Sequence, residues 1–237
     1  MGLYFDASKL GSPTDAYVAW IDIMGTQSVM STSVDTASNF IFKFHEAIAS
    51  QNMTNVELLP VLDGVYATTL SLQPILDLIR DAFWSLMDLF VNEPKLEHRF
   101  AFRAALAYGP IYFGKNVSSQ ASRNLSALSA YKSSLLVGIP IIQAYLSERK
   151  APPFGVYVHE SARAFAPAGV TPLHFRWWKW YSQQSMAQNG PVSIPTARIT
   201  KEVDKYFDSA KKFSLMTEYE IDRIDVHRKM ASAFFSL

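Results

Sequence analysis

The stretch VELLPVLDGVYATTL, residues 56–70, decides the fold. Two apolar, β-prone runs, 56–62 and 65–70, flank Asp63-Gly64. Asp-Gly between two such runs is a strong short-range signal for a β-hairpin. Upstream, AYVAWIDIM over 16–24 reads as a buried strand with a turn at Gly25. Between strand and hairpin, Ser33 or Asp35 can cap a helix over 36–50, with Phe40, Phe42, Phe44 and Ile48 available for its buried side. Downstream, Pro74 opens a helix over 74–91, and FAFRAALAY, 100–108, reads as a strand closed by Gly109-Pro110.

The polar stretch 115–129 reads as a loop with room for a helical turn. Pro140 suits the first turn of a helix over 140–149, which Pro152-Pro153 ends. A strand over 154–159 and a short helix over 160–165 follow. Residues 172–181 read as a further strand. An amphipathic helix over 217–235 carries Tyr219, Ile221, Ile224, Met230 and Phe234. Through residue 160 the order is β-α-β-β-α-β-α-β. That predicts an α/β (α+β) chain: a ferredoxin-like split βαβ unit, with a mixed, mainly antiparallel sheet and flanking helices. Residues 1–165 form the expected core, and 166–237 a C-terminal strand and helical extension packed on the same domain.

Hydrophobic residues make up 49% of the 237 and charged residues 18%, which fits a folded chain. A net charge of +1 offers no basic excess for a nucleic-acid polymer. The absence of cysteine removes disulfides, thiolate-zinc sites and cysteine nucleophiles together, and fits a reducing compartment. No apolar run is long enough to span a bilayer, and MGLYFDASKL has no signal-peptide pattern, so no membrane partner and a cytoplasmic location are expected. The histidines show no HxxxH or HExxH spacing, and neither a GxSxG elbow nor a GxxxxGK[ST] loop occurs.

Two aspartates fall where a metal site can be built. Asp22 lies near the end of the first strand and Asp63 at the hairpin tip. In a β-α-β-β unit those strands are neighbours, so the two carboxylates can meet and offer hard oxygen ligands to Mg²⁺ or Mn²⁺. On spacing alone the plainer reading is stronger: a turn residue at 63 and a helix cap at 22. Against it, an ionised carboxylate among Ala19, Trp20, Ile21 and Ile23 is expensive without a cationic partner.

WIDIMGTQ (20–27) resembles the first metal motif of class III adenylate and guanylate cyclases, LPVLDGVYAT (59–68) their second, and FRAALAYGPIYFG (102–114) the strand that follows. The resemblance covers about residues 16–160, and its closest form is the bacterial pyrimidine cyclases of Pycsar anti-phage systems. It implies that Asp22, Asp63 and the Ile23 backbone hold two Mn²⁺ or Mg²⁺ ions, and that Met24, Gly25 and Thr26 present N–H groups to phosphates. The Asn-x-x-x-Arg pair of purine cyclases is missing from PIIQAYLSERK (140–150). Tyr145 and Arg149, four apart, look like the Tyr-x-x-x-Arg variation. A gapless match puts Ile142 and Leu146 there instead; the need for a charge-stabilising donor favours Tyr145 and Arg149.

Leu59 stands where purine cyclases carry a base-reading polar residue, and SLLVGIP lacks an aspartate. This implies a pyrimidine nucleoside triphosphate, UTP before CTP, cyclised to cyclic UMP and pyrophosphate. A homodimer with composite sites is expected, as is a separate effector that responds to the cyclic nucleotide. Arg103 faces either substrate or a core carboxylate. Arg176 and Lys179, in FRWWKW, are open to a phosphate contact, while the tryptophans there read more simply as core or dimer surface. The rivals are a catalytically inactive cyclase-like binding module and a polymerase-like palm, which shares the split βαβ unit but needs a basic template groove.

Overall fold

The computed structural model describes residues 5–185, 192–212 and 221–236, leaving aside the side chains at 27, 28, 32 and 221. Its strands are β1 (Thr14–Ile23), β2 (Glu57–Val61), β3 (Gly64–Thr69), β4 (Phe102–Phe113), β5 (Leu136–Val137), β6 (Val156–Val158) and β7 (Trp177–Trp178). They form a seven-stranded sheet in the order β2-β3-β1-β4-β6-β7, with β5 pairing β4. Among the described residues, only the β4–β6 pairing is parallel. The order β2-β3-β1-β4 is the split βαβ arrangement that the hairpin and its flanking elements predict.

Helices α1 (Thr26–Thr32), α2 (Val34–Ala49) and α3 (Leu72–Asn92) connect these first strands; α4 (Arg123–Ala127), α5 (Ser129–Ser133), α6 (Ile139–Ser147) and α7 (Glu160–Ala164) follow. β1 is buried on both faces, which is why it reads as a continuous apolar run. Tyr17, Ala19, Ile21 and Ile23 join the main core with α2 and α3, while Ala16, Val18 and Trp20 pack with Ala144 of α6. Ser33 caps α2, accepting from the Thr36 N–H at 3.2 Å. Phe42 is corrected: it is 74% exposed, because the buried stripe runs through Ala37, Phe40, Phe44, Ala47 and Ile48.

The hairpin turn sits one residue earlier than Asp-Gly suggests. Val61 pairs Gly64, so Leu62 and Asp63 form the loop and Leu62 takes a left-handed φ of 55°. Gly64 is demanded by packing: a Cβ there would come within 2.5 Å of Trp20 Cη2. β4 does not stop at Gly109-Pro110 but continues to Phe113, with Asp15 opposite Pro110. The loop expected over 115–129 contains α4. The strand expected over 172–181 shrinks to Trp177–Trp178, because the chain leaves the short β6 to bury Trp180, whose indole N–H donates to the Phe154 carbonyl at 2.7 Å.

Two helices complete the described chain: α8 (Thr196–Lys212), which the sequence reading did not anticipate, and α9 (Ile221–Phe235). Residues 217–220 of the expected terminal helix lie outside the described residues. α8 buries Ile199, Val203 and Phe207, and α9 buries Ile224, Ala231 and Phe234, all in the same core as the sheet. Arg99 ties α8 down: it donates to Glu202 Oε2 at 2.9 Å and to the Glu93 carbonyl at 2.7 Å. Among the described residues, no helix is long and apolar enough to cross a membrane.

Candidate active site

The register of the sheet builds the site. On the face covered by α6, one row across the strands runs Val61, Gly64, Asp22, Arg103; the next runs Leu59, Tyr66, Trp20, Ala105. The first row carries charge and the second is apolar and aromatic. Trp20 packs against Tyr66 with the rings tilted and 4.5 Å between centroids, and meets Tyr145 edge-on at 5.7 Å.

Asp22 is half-buried, and its Oδ1 is fully buried with no hydrogen-bond partner. Burial pushes its carboxyl up to about 8, helped by the negative charges of Glu148 and Asp63; Arg103 and the Ile23 N–H pull the other way. Asp63 sits beside Gly64 in the loop and accepts from the Thr26 hydroxyl. Glu148 is buried and accepts from Arg103 Nε; burial raises its carboxyl and Arg103 offsets part of that. The structure thus brings Asp22, Asp63, Thr26 and Arg103 together and adds Glu148, which the sequence reading missed. In SERK that glutamate looks like one of several solvated charges, and no spacing marks it as buried.

Other expected residues fall differently. The Ile23 side chain enters the main core while its backbone ends β1 opposite Phe102. Met24 is corrected as a phosphate contact, since its N–H donates to the Ala101 carbonyl at 2.8 Å. Gly25 has φ 80° at the start of α1, and nothing lies within 4 Å of where its Cβ would be, so a ligand can approach the backbone there. Leu59 is half-buried opposite Tyr66.

α6 ends at Ser147 and runs directly into a 3-10 turn over Glu148–Lys150, which carries Arg149, exposed, one turn beyond Tyr145. α6 packs on the Asp22 face of the sheet, and Tyr145 meets Trp20 of its own chain. Lys179 donates to the Ser236 carbonyl and Arg176 stacks over Tyr157, so these two serve the C-terminus and the β6 edge.

Among the described residues, no three His, Asp or Glu side chains converge as a metal cage. Mg²⁺ and Mn²⁺ do not need one, because retained water, and a nucleotide's phosphates when bound, supply the remaining oxygens. Two carboxylates, one with an orphaned buried oxygen, fit that donor set. A cavity of about 650 Å³ lies at the opposite end of the sheet, against Thr14, Thr69 and Phe113. It contains one carboxylate, Glu57, already paired with Lys115, and so cannot serve the same chemistry.

No family model and no curated protein matches the chain. Solved structures do. The monomeric guanylyl cyclase domain of the RhoGC fusion protein from Blastocladiella emersonii is 18% identical, with 64% of this chain and 84% of that one covered and a TM-score of 0.44. The guanylate cyclase domain of RhGC from Catenaria anguillulae, in complex with GTP, is 17% identical over 64% and 81%, at 0.44. A class III adenylyl cyclase-like ATP-binding protein from Pseudomonas aeruginosa is 12% identical over 91% of this chain and 43% of that one, at 0.47. With every one of these scores below 0.5, function rests on the chain's own residues.

Proposed function

We propose that the chain is a class III-type nucleotide cyclase that converts a pyrimidine nucleoside triphosphate, UTP before CTP, to its 3′,5′-cyclic monophosphate and pyrophosphate. One observation carries this reading. Asp22 on β1, whose Oδ1 is buried without a hydrogen-bond partner, lies within electrostatic reach of Asp63 in the adjoining loop at the end of a split βαβ sheet. Asp22, Asp63 and the Ile23 backbone would hold Mn²⁺ or Mg²⁺, two per site. Bound there, the metal lowers the pKa of the attacking 3′-hydroxyl and neutralises phosphate charge.

The chain's own groups do the rest. The Thr26 hydroxyl fixes the Asp63 carboxylate. Gly25 leaves the backbone open to a phosphate. The Leu59, Tyr66 and Trp20 row offers a largely aromatic wall to a base and has leucine where purine cyclases carry a polar base-reading residue, which supports a pyrimidine. Tyr145 borders that wall, and Arg149, exposed beside Glu148, is the cation assigned to the α/β oxygens. A homodimer belongs to the proposal because Ile142, Tyr145 and Leu146 on α6, with Leu62 at the hairpin tip, leave apolar side chains exposed for a second copy to cover. A second-messenger role in anti-phage defence, read by a separate effector, follows from the sequence resemblance alone.

A second reading, an inactive nucleotide-binding module, is favoured by one feature: Ile142 and Leu146, which a gapless match puts in place of the polar pair, stand outward on α6. Incubation with all four nucleoside triphosphates and Mn²⁺, with products resolved by mass spectrometry, separates the two. Cyclic UMP is the expected product. Nucleotide binding without any cyclic product overturns the enzymatic reading.

A further inference from the structure

Arg103 stands directly opposite Asp22 in the β1–β4 ladder, on the same face of the sheet. Side chains so placed are about 5 Å apart at Cβ, close enough for a guanidinium to close onto a carboxylate. Yet Arg103 turns away: its Nε donates to Glu148, just beyond α6, and Asp22 Oδ1 stays buried without a partner. The bond joins two nearly buried side chains, 12% and 6% exposed. The charge of Glu148 also bears on Asp22 more strongly than that of Asp63 does.

We propose that Glu148 is a positioning residue: it holds the Arg103 guanidinium off Asp22 and so keeps that carboxylate open to a divalent cation. This deepens the reading of Asp22 and Asp63 as metal ligands and rests on it. Without the Glu148 charge, Arg103 is a nearly buried cation with Asp22 as its nearest carboxylate, and an uncompensated buried charge is costly. The guanidinium then pairs with Asp22 and competes with the metal for the same oxygens. Removing Arg103 as well takes the competitor away and restores the metal's access.

The test is Mn²⁺ binding to the full chain without nucleotide, followed by electron paramagnetic resonance of the free ion, with circular dichroism to confirm folding. Glu148→Gln is expected to weaken binding about 10–100-fold, and Arg103→Met combined with Glu148→Gln to recover most of that loss. A wild-type affinity in Glu148→Gln, or a double variant as weak as the single one, overturns the sequestration while leaving the metal site standing. Should Glu148→Gln not fold, Glu148→Asp, which draws the charge back by one methylene, is expected to lose affinity in part, and no loss overturns the proposal. Wild-type protein that binds no Mn²⁺ overturns the metal reading beneath it.

Discussion

Trp20 lies over Gly64 so closely that a Cβ at position 64 would approach Trp20 Cη2 to 2.5 Å and Asp22 Oδ1 to 3.0 Å. The glycine lets the indole and the carboxylate lie flat across β3. Gly64→Ala therefore has to push the Trp20 ring or bend the hairpin. Overpacking of this kind costs about 1–3 kcal/mol, and Tm falls by about 2–4 °C per kcal/mol in a chain of this length. A thermal melt checks it; an unchanged Tm contradicts the packing described.

Asp22 supplies a pH-dependent prediction. Its carboxyl is raised to about 8 in the fold, so the native state binds the proton that the unfolded chain gives up near 3.8. Metal-free stability from this group is therefore full below the unfolded value and is lost as pH rises through the folded one. Asp22→Asn should stabilise the chelator-treated protein at pH 8, by up to about 5 kcal/mol, and change little near pH 4. Urea melts at both pH values measure it.

His227 gives the opposite slope. It lies on α9 near Arg103 and Arg223, and burial first, then those two cations, depress its imidazole to about 4 from 6.5. Its contribution to stability is present above the unfolded value and is lost as pH falls through the folded one. His227→Asn should flatten the decline of Tm between pH 6.5 and 4 relative to wild type. Parallel slopes for the two proteins would count against it.

The composite homodimer predicts complementation. Asp22→Ala chains and Arg149→Ala chains are each expected to be inactive alone, and a mixture to regain part of the cyclase activity. If the mixture stays silent at every ratio, each site is complete within one chain, as the contact between Tyr145 and Trp20 allows.

Much of the fold was legible because local chemistry and global pairing agree. The Asp-Gly pair marked the hairpin, the apolar run marked the central strand, and the βαββαβ order set the sheet. What escaped was set by tertiary packing. The turn moved to Leu62-Asp63 because Gly64 is needed beneath Trp20. α8 carries Ile199, Val203 and Phe207 at four-residue spacing, a helical signal passed over because charged residues surround it. Asp22 and Asp63 were found from their places in neighbouring strands. Glu148 was invisible because only the end of α6 against β4 turns that glutamate inward to Arg103. The tightening of the last turn, where α6 gives way to a 3-10 turn over Glu148–Lys150, carries no local signal either.

The most direct test is calorimetric titration of Mn²⁺ into wild-type, Asp22→Asn and Asp63→Asn proteins at pH 8.5, where the Asp22 carboxyl is mostly ionised. Shared ligation predicts saturable binding in wild type and a loss of at least about tenfold in each variant. Either variant binding as tightly as wild type would contradict a metal site built from both carboxylates.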